Sequence, residues 1–194
     1  MDFVRDIIKE QEEFEKRQDE VLASNDARAI YEFALYERYA DIRKLEEALI
    51  RTGDAEYIYY FARDVKGADT SRLQDELIRI GNPKYIYYFI LTVRSADIQK
   101  LQDALIRIGN IGYIYYLATS VKGVNVYKLQ ELIIESGIAE FIYRFARDSK
   151  EADLYRLYKA IIKTNDKYYI AKFKELIINN DKTMADDDEP LFSY

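Results

Sequence analysis

Apolar and polar residues recur along this chain with a fixed period of 28 residues. The run that begins YIYYFARDVKGAD at Tyr57 returns in closely similar form at Tyr85 and at Tyr113. Weaker copies begin at three further places, Ala29, Phe141 and Tyr169. Within each copy the apolar positions are three and four residues apart, which is the spacing of an amphipathic helix. Since a fixed period of this length is typical of repeat proteins, the pattern predicts a helical repeat array.

Capping residues divide each copy into two helices, A and B, when positions are numbered 1 to 28 from the YIYY start. Asp or Asn occupies position 26 in four of five copies and position 13 in all five. Such side chains accept a free amide hydrogen at a helix N-terminus. Glycine at position 25, or Asn165 in the fifth copy, can end helix B, and Gly67 and Gly123 at position 11 can end helix A. Each repeat is therefore predicted to be an αα-hairpin.

The helical spacing also predicts which positions form the core. In helix A these are positions 2, 5, 6 and 9, and in helix B they are positions 14, 17, 20, 21 and 24. We therefore expect an all-α fold, a right-handed α-solenoid of about five αα-hairpin repeats with an N-terminal capping helix. Residues 1–27 are predicted to form an acidic capping helix, residues 28–182 the repeat array, and residues 183–194 an acidic, disordered tail.

The caps, terminal glycines and core spacing of residues 28–178 resemble the HEAT and armadillo class of α-solenoids, in a short form with 28-residue repeats. The YIYYFARDVKGAD-type run is also similar to repeat arrays found in uncharacterised bacterial and phage proteins. This resemblance implies binding or scaffolding in general. It carries over no catalytic residue.

The composition excludes most of the common kinds of catalytic site. The chain has no cysteine, no histidine and no tryptophan, so disulfides, thiolate metal sites and Ser-His or Cys-His arrangements are excluded. The acidic run DDDE lacks the spacing and glycine of a calcium loop. We therefore predict a protein that is not an enzyme and uses no cofactor and no metal. Without a run of 18 apolar residues, we also expect no membrane association and a cytoplasmic location.

Charge is unevenly distributed along the chain. The formal net charge of -6 separates into -5 for residues 1–27, -4 for residues 179–194 and +3 for the 151 residues between them. Nucleic-acid binding needs a stronger basic field than this. A protein is therefore the expected partner, although single-stranded nucleic-acid binding along ladders of tyrosines and basic residues stays as an alternative.

The strongest candidate site lies where the repeats differ. Positions 19 and 23 of helix B carry acid-before-base pairs in the first three repeats, which are favourable four residues apart. In the fourth and fifth repeats they carry like charges, which are unfavourable. Cross-repeat pairing of Glu131 and Glu135 with Lys159 and Lys163 would explain this, and so would a partner surface or the acidic tail folding back. The candidate partner-binding residues are Tyr127, Glu131, Glu135, Tyr155, Arg156, Tyr158, Lys159 and Lys163.

Two ladders supply secondary candidates. Positions 3 and 4 of helix A carry tyrosines predicted to lie on opposite flanks away from the core, where they either fill seams between repeats or bind a ligand. Position 16 is always basic, and we expect it to pair with the acid three residues later. The secondary candidates are Tyr60, Tyr88, Tyr116, Lys100 and Lys128. If helices B line the concave face, the candidate patch lies in the concave groove. The protein is predicted to engage a protein partner through the concave face near repeats four and five, as an adaptor or a stoichiometric inhibitor, including a phage-type anti-defence inhibitor. The sequence does not decide between monomer and dimer.

Overall fold

A computed structural model describes the backbone of residues 2–184 and the side chains of residues 4–179. In that part of the chain there are twelve α-helices and no strand, so the predicted all-α class is confirmed. The helices are α1 (Asp2–Ala23), α2 (Ala27–Tyr36), α3 (Ile42–Thr52), α4 (Ala55–Asp64), α5 (Thr70–Ile80), α6 (Pro83–Thr92), α7 (Ile98–Ile108), α8 (Ile111–Ser120), α9 (Val126–Glu135), α10 (Ala139–Asp148), α11 (Leu154–Lys163) and α12 (Lys167–Met184). None of these helices is long and apolar enough to cross a membrane.

The chain forms two compact units, Met1–Ile108 and Gly109–Tyr194. In the first unit, helices α2 to α7 form three hairpins, and α1 packs on the first of them. In the second unit, α8 with α9 and α10 with α11 form two hairpins, and α12 packs on the second. Within each unit, helices A pack on helices A and helices B on helices B of the neighbouring hairpin. This arrangement explains why the same positions are apolar in every repeat.

The N-caps lie at the predicted positions. Asp54 accepts the amide hydrogens of Glu56 and Tyr57 at 2.9 and 3.1 Å, and Asp69 accepts that of Arg72 at 3.1 Å. Position 25 is left-handed, with φ of 68° at Gly53. Two asparagines, Asn25 and Asn165, adopt the same conformation at that position, with φ of 54° and 57°. These caps therefore set the hairpin boundaries that the sequence pattern indicated.

Helix A is shorter than predicted. It ends at position 8 rather than near position 11, as at Asp64 in α4, where the next residue, Val65, has extended backbone. Gly67 is left-handed, but it lies in the turn that follows. The predicted core of helix A is buried (Ile58, Phe61, Ala62 and Val65 in one copy). In helix B, positions 17 and 21 are buried in every copy, whereas positions 14 and 24 are at most half-buried.

A buried polar side chain at position 18 joins each of four helices to the hairpin that follows, and the sequence pattern had not indicated it. Its oxygen accepts the backbone amide hydrogen of the next position-13 cap at 2.7–2.8 Å. The four pairs are Gln18 with Asp41, Glu46 with Asp69, Gln74 with Asp97, and Gln130 with Asp153. An unpaired buried amide would cost about 1–3 kcal/mol, so this contact fixes the stacking register.

The two terminal helices of the described chain depart from the repeat pattern. Because Gln18 makes the position-18 contact, the second half of α1 occupies the place of a helix B, and Phe14 packs on Phe33 with ring centroids 5.7 Å apart. The first half of α1 is exposed, including Val4, Ile7 and Ile8. Only half of α1 therefore covers the first hairpin, as a capping helix was expected to do. Helix α12 continues unbroken to Met184, two residues beyond the predicted end of the array.

Candidate functional site

Position-3 tyrosines are part of the packing between hairpins. Tyr59 and Tyr115 are 4% and 5% exposed, so the expectation that this position lies away from the core was wrong. Their hydroxyls reach the residue 33 positions later: Tyr59 shares a hydrogen bond of 3.0 Å with Thr92, and Tyr115 donates to Asp148 at 2.5 Å. Helices A pack closely enough on one another to bury this flank. The seam interpretation of the tyrosine ladder is supported at this position.

Burial and charge pairing shift the acidities of this seam. Tyr31 donates to Asp64 at 2.9 Å, and burial, followed by that hydrogen bond, raises the pKa of Tyr31 to about 12. Hydrogen bonds from Arg63 lower the pKa of Asp64. In the second unit, hydrogen bonds from Arg147 lower the pKa of Asp148 in the same way. Each carboxylate therefore stays ionised and accepts a tyrosine hydroxyl.

The secondary candidates are divided between helices A and helices B. Tyr88 and Tyr116 are 38% and 42% exposed, and the Tyr60 hydroxyl donates to Glu56 at 2.9 Å. All three tyrosines lie on helices A, whereas Lys100 and Lys128 lie on helices B. The tyrosine and basic ladders of each unit therefore belong to different helices of the hairpin.

At position 16, Arg72 and Lys100 pair with acids of the preceding repeat and not with the acid three residues later as predicted. Arg156 also pairs with an acid of the preceding repeat, and Lys44 pairs with Asp41 of its own N-cap. The Nζ atom of Lys100 lies 2.5 Å from Asp75 Oδ1. A guanidinium nitrogen of Arg72 lies 3.5 Å from Glu46 and 3.7 Å from Glu47. These pairs join neighbouring helices B within the first unit. They were missed because the sequence pattern gave the spacing along one helix but not across two.

The second unit contains a groove between α9 and α11. Its volume is about 470 Å³, and its lining residues are Ile134, Gly137, Arg156, Lys159, Ala160, Lys163 and Thr164. We call this the α9–α11 groove. We call Ile134, Gly137, Ala160 and Thr164 its floor residues and the three basic residues its rim residues. The groove therefore combines a mainly apolar floor with cations from α11.

Arg156 is held in place by two neighbours on α9. Its guanidinium donates to the Tyr127 hydroxyl and, at 2.5 Å, to Glu131 Oε2. The hydrogen bond to Tyr127 is the main cause of a raised pKa at Arg156. The other carboxylate oxygen of Glu131, Oε1, is buried and has no hydrogen-bond partner among the described residues. Glu131 therefore offsets the charge of Arg156 but does not offset the charges of Lys159 and Lys163.

Lys159 and Lys163 make no salt bridge to any residue that the structure describes. Lys159 Nζ lies 4.1 Å from the centre of the Tyr155 ring, a cation–π contact. Glu135 is exposed and, in the same part of the chain, also lacks a salt bridge. The pairing of Glu131 and Glu135 with these lysines, one of three explanations that the sequence left open, is therefore not observed, because Glu131 pairs with Arg156 instead.

The sequence of α11 explains why the lysines lack partners. LYRLYKAIIK contains three basic residues and no acid. In α5, by contrast, Glu76 at position 20 binds Arg79 at position 23, with Nη2 and Oε1 2.6 Å apart. The residue at position 20 of α11 is Ala160. With alanine at this position, Lys163 lacks the acid that binds Arg79 in α5.

The structure brings together most, but not all, of the predicted partner-binding residues. Arg156, Lys159 and Lys163 line the groove, and Tyr127, Glu131 and Tyr155 contact this rim. Tyr158 does not belong to the groove, because it lies at position 18 and packs on Phe173 with ring centroids 5.9 Å apart. The floor residues were missed. They gave no signal in the sequence, because Ala48 and Thr52 occupy the same two positions in the first repeat.

The acidic run Asp186–Glu189, which we considered as a tail folding back on the basic residues, lies outside the described residues. Within them, no group of three or more carboxylates is placed to hold a metal ion. Comparisons of the chain with protein-family models, with curated proteins and with solved structures found no match.

Proposed function

We propose that this chain is a non-enzymatic binding protein that engages a protein partner through the α9–α11 groove, as an adaptor or a stoichiometric inhibitor. The observation that carries the proposal is the pair of lysines, Lys159 and Lys163, that stand one helical turn apart over an apolar floor without a salt bridge among the described residues. The right-handed α-solenoid of about five HEAT-like repeats belongs to the same proposal, as does the phage-type inhibitory role.

Physical chemistry supports a partner at this place. Like charges four residues apart destabilise a helix by roughly 0.2–0.5 kcal/mol, so the Lys159 and Lys163 pair is a local cost that a bound acidic group would offset. Tyr127, Tyr155 and Arg156 surround it, and tyrosine and arginine are enriched among residues that dominate binding energy. Apolar area beside these groups would be removed from water on binding.

Nucleic-acid binding is less well supported than protein binding. The basic residues at position 16, Arg72, Lys100 and Arg156, are paired with acidic residues of the neighbouring helix B. The position-3 tyrosines Tyr59 and Tyr115 are buried and therefore do not offer a face for base stacking. We therefore propose no second function.

Affinity capture with three forms of the full chain tests the proposal. The forms are the natural chain, Lys159→Glu with Lys163→Glu, and the control Lys167→Glu with Lys174→Glu, whose lysines are exposed on α12 and lack salt bridges to the described residues. Captured proteins are identified by mass spectrometry, purified and tested for direct binding. We expect a partner that binds the natural chain and the control equally and binds the groove variant at least about tenfold more weakly. Equal binding to all three forms would show that the partner does not bind at the α9–α11 groove.

A further inference from the structure

The chemistry of the α9–α11 groove restricts what it can bind. Lys159 and Lys163 supply two ammonium groups without acidic partners in the described chain, and Arg156 is already bound to Glu131 and Tyr127. Ile134 and Ala160 beneath them offer no hydrogen-bonding side chain. A ligand that satisfies all of these groups carries at least two negative charges close together, next to an apolar group.

The surroundings of the groove disfavour a long polyanion. Glu135 is exposed on α9, and α9 carries two acids and one base. A nucleic-acid strand running across α9 would meet this acidic residue, and its phosphates would gain nothing from Ile134 or Ala160. A peptide differs, because its charged and apolar side chains can alternate over a few residues. The volume of about 470 Å³ is suited to a few side chains, since small-ligand sites measure about 300–1,000 Å³.

We infer that the groove binds an acidic segment of the protein partner. Two carboxylates of this segment pair with Lys159 and Lys163, and an apolar side chain next to them packs on Ile134 and Ala160. This inference rests on the proposed function and specifies the chemistry of the partner. Burial of the apolar side chain strengthens both ion pairs, because it removes water from around them.

A synthetic peptide of this composition is available from the chain itself. Residues 185–194 read ADDDEPLFSY, which places four acids beside leucine, phenylalanine and tyrosine. The fluorescently labelled peptide is titrated into the full chain, and binding is followed by anisotropy. Two further peptides separate the contributions: NNNQ in place of DDDE removes the charge, and serine in place of leucine and phenylalanine removes the apolar group.

The protein variants are those of the capture experiment. We expect the peptide to bind the natural chain and the control Lys167→Glu with Lys174→Glu equally, and Lys159→Glu with Lys163→Glu at least about tenfold more weakly. Both altered peptides should bind more weakly than the parent. Thermal unfolding followed by circular dichroism checks that every variant is folded, and a folded groove variant is expected because both lysines are exposed.

One further full-chain variant tests whether the chain's own residues occupy the groove. It carries Asp186→Asn, Asp187→Asn, Asp188→Asn and Glu189→Gln. Tighter binding of the added peptide by this variant supports the inference and identifies the chain's own segment as a competitor for the same groove. Unchanged binding also supports the inference, with the segment of a separate protein as the occupant.

Three results would overturn the inference: no measurable binding of the parent peptide, equal binding by all protein variants, or equal binding of the parent and NNNQ peptides. A labelled ten-nucleotide single strand is measured in parallel. If the chain binds that strand more tightly than the peptide, and the groove variant loses this binding, the ligand of the groove is a nucleic acid and not an acidic peptide. If a captured partner fails to bind the groove variant and yet is not displaced by the peptide, that result supports the proposed function and contradicts only the inference that an acidic segment occupies the groove.

Discussion

The surface of α5 in the first unit and the surface of α11 in the second are built from the same repeat positions, yet their electrostatics differ. On α5, Arg79 is bound by Glu76, and Asp75 is bound by Lys100 of the next helix B. On α11, the residues equivalent to Asp75, Glu76 and Arg79 are Lys159, Ala160 and Lys163. The first surface satisfies its own charges. The second leaves two lysines without an acidic partner in the described chain.

This difference separates the framework from the binding surface. Both helices have an Asp N-cap at position 13 and buried aliphatic residues at positions 17 and 21, and the cap amide of each donates to a position-18 side chain of the preceding helix B. The residues at positions 18, 19, 20 and 23 change between them, and the charge at position 19 is reversed. The comparison indicates that repeat positions kept in both units maintain the fold, and that the departures confined to α11 are the place to look for binding.

The largest predicted effect breaks the framework that both regions share. Replacing Gln74 or Gln130 by Leu leaves the part-buried backbone amide of Asp97 or Asp153 without this acceptor. We expect each change to lower the free energy of unfolding by about 1–3 kcal/mol. Urea denaturation measures this, with Gln99→Leu on the exposed face of α7 as the control, for which we expect a change within about 0.5 kcal/mol. A Gln130 variant as stable as the control would show that the contact is unimportant in the second unit.

The next prediction removes the difference between the two surfaces. Lys159→Asp with Lys163→Arg gives α11 the acid-before-base pair of α5 and α7. Binding of the acidic peptide should weaken about tenfold, because one cation is reversed and the other gains an acidic neighbour. The free energy of unfolding should stay the same or rise by roughly 0.2–0.5 kcal/mol. Anisotropy and urea denaturation of the same preparation check both parts, and a loss of stability would mean that the lysines serve the fold.

A smaller effect separates the tyrosines of the seam from those at its edge. Tyr59→Phe removes a hydroxyl that hydrogen-bonds Thr92 and accepts from Arg63 at 3.1 Å. We expect a loss of about 1 kcal/mol in the free energy of unfolding. Tyr88→Phe is the matched control, because Tyr88 is 38% exposed and its hydroxyl makes no hydrogen bond within the described chain. Equal losses at the two positions would contradict the seam assignment.

The smallest effect concerns pH and the one position-18 contact made by a carboxyl group. Glu46 is 3% exposed, and burial raises its pKa above the ordinary value of 4.5. The folded state therefore binds this proton more tightly than the unfolded state, so the contribution to stability is present below pH 4.5 and decreases as pH rises through the raised pKa. Glu46→Gln should remove this decrease. The unfolding midpoints of the natural chain and the Gln variant are compared at pH 4 and at pH 7. The midpoint of the Gln variant, relative to that of the natural chain, should be higher at pH 7 than at pH 4. The same relative midpoint at both pH values would contradict the raised pKa.

Much of the fold could be predicted because its signals lie close together in the sequence. Caps such as Asp54 and Asp69 and the left-handed Gly53 act on residues within one turn. Burial of a polar residue at position 18 could not be predicted from helical spacing, because its partner is an amide 23 residues later. The pairing of Lys100 with Asp75 spans 25 residues and was missed for the same reason.

The candidate site was predicted in part. Like charges at Lys159 and Lys163 were visible from their spacing along one helix, which is a local signal. The sequence left the partner of Glu131 open, because the choice between Arg156 and the lysines depends on how α11 packs on α9. The floor of the groove depends on the small side chain of Ala160, and a small apolar residue at a core position gives no sequence signal for a groove.

The most direct test of the account is a methyl NMR titration of the full chain with the acidic peptide. Ile134 and Ala160 line the α9–α11 groove, and Ile78 and Ala104 occupy the same repeat positions on α5 and α7 of the first unit. The account predicts saturable shifts of the Ile134 and Ala160 methyl signals, with Ile78 and Ala104 unchanged. Equal shifts in both pairs, or shifts confined to the first unit, would contradict the claim that the departures in α11 create the binding surface.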